Sequence, residues 1–158
     1  VVRQDRAAYL AAVLALDPAS DPGAIATPMR SYSTPALPAS EAATAPEDHG
    51  VVVRKNTRMS VHYEDGIVDQ LLTPQPNRQL EMLHSRFPPG TYSQQSYSHE
   101  GEEAGYLLAG RFELWVGQRH FLLSEGDSFS FSSQEPHRYG NPGEVDAVVI
   151  WVITPPTF

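Results

Sequence analysis

The chain has 158 residues, room for one domain with a sizeable core rather than two. Its 11 basic and 19 acidic residues give a net charge of −8, and no Lys/Arg cluster offsets it, which argues against direct nucleic-acid binding. Cysteine is absent, so disulfides and thiolate metal sites are excluded.

In chain order, Ala7, Leu10, Ala11 and Leu14 recur at helical spacing behind a polar start. They predict a short helix from about Arg3 to Leu16, stopped by Asp17-Pro18, whose apolar stripe needs the barrel or a second subunit as partner. Six of the 14 prolines and eight alanines follow between Asp17 and His49. That composition buries too little apolar surface to offset its own ordering, so residues 1–49 read as a helix and a Pro/Ala-rich linker or arm. No apolar run reaches membrane-span length and no secretory signal pattern opens the chain, so the expected location is the cytoplasm. The chain begins with Val, which reads as a fragment, a processed form or an atypical start.

From Gly50 the composition turns to valine, leucine and aromatics, and residues 50–158 read as one all-β domain. Strands are expected at Val51–Lys55, Ser60–Tyr63, Ile67–Leu72, Gln79–Phe87, Tyr92–Ser98, Ala104–Ala109, Arg111–Val116, His120–Leu123, Ser128–Phe131 and Val145–Ile153. Alternation is clearest where Phe112, Leu114 and Val116 oppose Arg111, Glu113 and Trp115. The run from Ala147 to Ile153 is apolar in both phases, which predicts a strand covered on both faces, centrally or at a dimer contact.

The chemistry concentrates in two stretches. In Ser98-His99-Glu100-Gly101-Glu102-Glu103, the pair His99 and Glu103 would stand about 13 Å apart along one continuous strand. Gly101 between them allows a tight turn that brings the two together. The second stretch is Glu135-Pro136-His137-Arg138-Tyr139-Gly140-Asn141, in which Pro136 fixes the backbone before His137. Two imidazoles and a carboxylate suit a divalent transition metal, hard enough for Fe or Mn and borderline enough for Zn or Ni, with positions left open for water or a ligand. Without metal, His99 and His137 read as hydrogen-bonded barrel histidines, and Glu103 as an acceptor for a cationic group. Tyr97 is a candidate pocket residue through its hydroxyl, Glu102 a spare carboxylate, and Arg138 a clamp for an anion or a solvated side chain. His49, His62, His84 and His120 read as ordinary, and Trp115 and Trp151 as core or interface residues.

These stretches resemble the paired motifs of the cupin superfamily. His99, Glu103 and Gly110 keep the spacing of the first motif, and Gly126, Pro136, His137 and Asn141 that of the second. The pattern departs at Tyr97, where a first histidine would stand, and at Glu135, where a glycine would. The run Gly105-Tyr106-Leu107-Leu108-Ala109-Gly110 and the end Thr154-Pro155-Pro156-Thr157-Phe158 are similar to one branch, the C-terminal cupin sensor domains of Xre-type helix-turn-helix regulators. The resemblance implies a cupin double-stranded β-helix, or jelly-roll barrel, usually dimeric. It implies a small-molecule effector as partner, DNA contact only through a domain before residue 1, and metal ligands His99, Glu103 and His137. The same three-ligand spacing also resembles a non-haem-iron cupin epoxidase of phosphonate metabolism. The alternative function is therefore a metal-dependent cupin enzyme of oxygenase or isomerase type, and a third is a barrel that only dimerises.

Overall fold

A computed structural model describes residues 50–74, 79–93 and 95–156, together with the backbone of 31–33. The expected helix at 3–16 and most of the Pro/Ala-rich arm lie outside the described residues. One short strand, β1 (Ser31–Ser33), comes from within that stretch. The others are β2 (Ser60–His62), β3 (Val68–Leu71), β4 (Glu81–Phe87), β5 (Glu102–Ala109), β6 (Arg111–Val116), β7 (Arg119–Ser124), β8 (Ser128–Ser132), β9 (His137–Gly140) and β10 (Ala147–Thr154). They form a seven-stranded sheet in the order β1-β2-β3-β4-β10-β5-β8 and a three-stranded sheet in the order β7-β6-β9, all pairs antiparallel. The domain is all-β, as the alternation predicts.

Two expected strands are corrected. Val51–Lys55 is not a strand; the chain there is turn and a single 3-10 turn at Lys55–Thr57. The run Arg54 to Arg58 has no apolar phase to bury, and the amide and hydroxyl of Thr57 both bond back to the Arg54 carbonyl. Among its described residues, Tyr92–Ser98 pairs only near its two ends, through bridges Tyr92↔Gly140 and Tyr97↔His137. Between them the Ser93 hydroxyl receives the Tyr139 amide and itself donates to the Tyr139 carbonyl, so a side chain replaces part of the ladder.

The core lies between the sheets. Phe112, Leu114 and Val116 face it from β6, and Phe87, Tyr139 and Trp151 pack around Phe112 with ring centroids 5.0 to 6.0 Å away. Each such buried side chain contributes roughly 1.5–3 kcal/mol. Strand β10 is central, between β4 and β5. Its inner row, Ala147, Val149, Trp151 and Ile153, is buried, whereas Val148, Ile150 and Val152 are half-buried on the outer face instead of fully covered. Among the described residues no helix is long and apolar enough to cross a membrane.

Candidate metal centre

Three separate parts of the chain supply the site. Glu103 is the second residue of β5, His137 opens β9 in the opposite sheet, and His99 lies in the connection that leads into β5. Gly101 makes the approach possible. It has φ +105, and a Cβ there would stand 1.9 Å from the Thr154 carbonyl oxygen. The His99 amide donates to the Ser133 carbonyl at 2.9 Å, and the Ser133 amide to the Gly101 carbonyl at 2.9 Å, which fixes the turn on both sides of Glu100. At the other motif, buried Asn141 donates through Nδ2 to the carbonyls of Phe87 and Val145 and accepts from the Gly143 amide. It closes the turn after β9 and so holds the strand that carries His137.

The three side chains are buried, and their ligand atoms lie within 4.8 Å of one another. His99 Nε2 lies 2.6 Å from Glu103 Oε1, and His137 Nε2 lies 3.1 Å from the same oxygen without completing a hydrogen bond. The indole Nε1 of Trp151 donates to Glu103 Oε2 at 2.6 Å. Each Nδ1 faces a main-chain carbonyl, that of Glu100 for His99 at 3.0 Å and that of Glu135 for His137 at 2.9 Å. Those carbonyls hold a proton on each Nδ1 and turn both Nε2 atoms toward the carboxylate. Burial alone would raise the Glu103 pKa, but the His137 and His99 imidazoles hold it down at about 2. Burial alone would lower the His99 pKa; the hydrogen bond to Glu103, the Glu100 carbonyl and the charges of Glu103 and Glu81 outweigh it and raise it.

This donor set fits a divalent transition metal. A fully buried Nε2 without a hydrogen-bond partner is costly unless something else uses its lone pair, and His137 presents one beside an ionised carboxylate.

Of the remaining candidates, Tyr97 is brought to the centre: its ring lies 4.2 Å from the His137 ring and is stacked at 6.0 Å from that of His99. Glu102 is exposed on the face of β5 opposite Glu103. Arg138 points to the outer face of its sheet, its guanidinium 4.0 Å over the Trp115 ring, with His120 stacked against that indole at 4.7 Å. Two residues escape the sequence reading. Trp151 supplies a hydrogen bond to the carboxylate, which only the register of β10 reveals. Glu81 is buried and aligned with Glu103 across Ile153, so the two carboxylates flank the same strand. Its signal was present, because Glu81 shares a phase with Leu83 and Phe87.

The two-sheet jelly roll, with imidazoles and a carboxylate gathered inside it from two motifs, has the cupin fold, and residues 83–153 match the Cupin domain family. More particularly, the chain is similar to a helix-turn-helix-type transcriptional regulator, PuuR of Escherichia coli, with 26% identity over 113 residues. That match covers 72% of this chain, which spans only 61% of the regulator's length. Among solved structures, an RmlC-like cupin from Shewanella frigidimarina superposes with TM-score 0.59 at 20% identity, covering 67% of this chain and 91% of that one. The cupin domain of an XRE family transcriptional regulator from Enterobacter cloacae superposes with TM-score 0.52 at 22% identity, covering 57% and 97% respectively. These two likenesses establish the fold.

Proposed function

We propose that this chain is the effector-binding cupin domain of a transcriptional regulator, and that DNA is contacted through a separate helix-turn-helix domain. The observation that carries the reading is the buried His99–Glu103–His137 group inside a barrel whose sequence is related to a regulator of that type. His99, Glu103 and His137 would hold a divalent transition metal, Zn, Fe, Mn or Ni, with Tyr97 on the wall beside it. Such an ion supplies Lewis acidity and open positions for a ligand's oxygen or nitrogen. The chain's own part is to hold both Nε2 atoms in place through the Glu100 and Glu135 carbonyls, and to keep Glu103 ionised. The domain division at residue 50 belongs to the same reading. So does a homodimer, supported by the apolar outer row of β10 and decided by light scattering.

Metal analysis by plasma mass spectrometry on the purified chain, beside His99→Ala, tests the centre. Near-stoichiometric metal lost in the variant supports it; no metal after reconstitution with Zn, Fe, Mn and Ni overturns it. The enzyme reading rests on the same open coordination and requires, in addition, turnover of a substrate by the loaded chain. The regulator reading fails if the parent protein does not bind an operator, or binds it without response to any small molecule.

A further inference from the structure

Among the described residues, one side of the barrel is not closed. β8 is the last strand of the large sheet and β7 the last of the small one, and no ladder joins them. The register of β7 on β6 pairs Phe121 with Leu114 and Arg119 with Val116, so Phe121 and Arg119 share the inner face with two buried residues. Yet Phe121 is 40% exposed, whereas Leu114 is 2% exposed. The space that a neighbouring strand would fill is a cavity of about 290 Å³, walled by Leu114, Val116, Phe121, Leu123, Phe129 and Phe131. Among these walls, Phe131 lies opposite Glu103 in the β5–β8 ladder and packs its ring 4.9 Å from the His137 ring. The cavity therefore comes within one side chain of the metal centre.

Besides the apolar wall, the described residues that line the cavity are the serines Ser128 and Ser130 and one charged residue, Arg119. Arg119 makes an exposed ion pair with Glu135, in which Nη2 alone reaches both carboxylate oxygens at 3.0 Å. The Nη1 and Nε donors of the guanidinium are not used in that pair. The guanidinium also lies 6.0 Å from the Phe121 ring, at the edge of the apolar surface.

We propose that this slot binds a small organic anion: a carboxylate of six to eight carbons or one aromatic ring, its head on Arg119 and its apolar body along Phe121, Phe129 and Phe131. The walls supply burial without polar demands, the volume sits at the low end of small-molecule pockets, and the remaining guanidinium donors match a carboxylate. The assignment deepens the effector-binding reading and depends on it for biological meaning. It differs from that reading in where the ligand sits, since the body lies outside the His/Glu centre and touches it through Phe131.

The test is a titration of the metal-free chain with hexanoate, hexanol and hexylamine, followed by NMR of the aromatic side chains and by calorimetry. Hexanoate is expected to bind saturably, to shift Phe121, Phe129 and Phe131, and to bind roughly tenfold tighter than hexylamine. The net charge of −8 would by itself favour the amine, so that order is diagnostic. Arg119→Gln should bring hexanoate to within about twofold of hexanol, and Phe121→Ser should weaken both. Both positions are exposed, and unchanged melting of the two variants certifies their folds. Failure of hexanoate to bind, equal or tighter binding of hexylamine, or an Arg119→Gln variant that keeps the preference would each overturn the assignment. A failed titration leaves the metal analysis standing, and a metal-free result there leaves this titration untouched.

Discussion

Glu103 shows how one side chain can be both costly and central. It is 1% exposed, yet both oxygens are engaged, Oε1 by His99 and Oε2 by the Trp151 indole. Removing one donor leaves a buried charge short of a partner, so Trp151→Phe is expected to cost about 1.5–3 kcal/mol in a denaturant melt. The pH dependence of the metal-free chain follows from the same contacts. The Glu103 pKa is depressed from 4.5 to about 2, so its contribution is present above 4.5 and lost as pH falls toward 2. The His99 pKa is raised above 6.5, so its contribution is complete below 6.5 and lost as pH rises through the folded value. Melting temperature, measured across the range, should be highest between about 4.5 and 6.5. Glu103→Gln should flatten the acid limb.

At the scale of elements, the turn at Gly101 joins a sequence signal to a geometric result. Gly101→Ala would combine a left-handed backbone with a Cβ 1.9 Å from the Thr154 carbonyl oxygen. It should destabilise by about 3 kcal/mol and lower metal occupancy, because His99 and Glu103 flank the turn. A melt and a metal titration on one preparation check both effects. This convergence was legible in the sequence because a glycine midway between two ligand-type residues has few other uses. The inward phase of β6 was legible for a similar reason, since Phe112, Leu114 and Val116 alternate with charged or amphipathic neighbours. Val51–Lys55 is misleading because three adjacent valines look like a strand, while Arg54 to Arg58 offers no face to bury. The Trp151–Glu103 bond and the alignment of Glu81 were hidden, because register between strands distant in sequence follows from closure of the whole sheet. The open side at β7 was hidden for the same reason. Phe121 and Leu123 lie in the expected strand His120–Leu123, and nothing local shows that, among the described residues, no strand pairs with β7 on that side.

Across the whole molecule, the candidate centre is a tie between layers. Glu103 belongs to the seven-stranded sheet, His137 to the three-stranded one, and His99 to a connection hydrogen-bonded to Ser133 just beyond β8. An ion held by all three would have to be released before the sheets separate, so its binding energy should appear in global unfolding and not only in local protection. Ligand that binds the native state alone at a hundred times its dissociation constant stabilises by about 2.7 kcal/mol. For a domain of this size that shifts the midpoint by roughly 10 °C or more. The expected outcome is a rise of that order when the metal retained in mass spectrometry is added to stripped chain, and its reversal by a chelator. His99→Ala should remove most of the rise, whereas Arg138→Ala, on the outer face over Trp115, should leave it intact. Scanning calorimetry distinguishes this linkage from adventitious surface binding. A surface ion would give the same shift in the wild type and in His99→Ala; an ion bridging the sheets gives it only where the ligands from both are present.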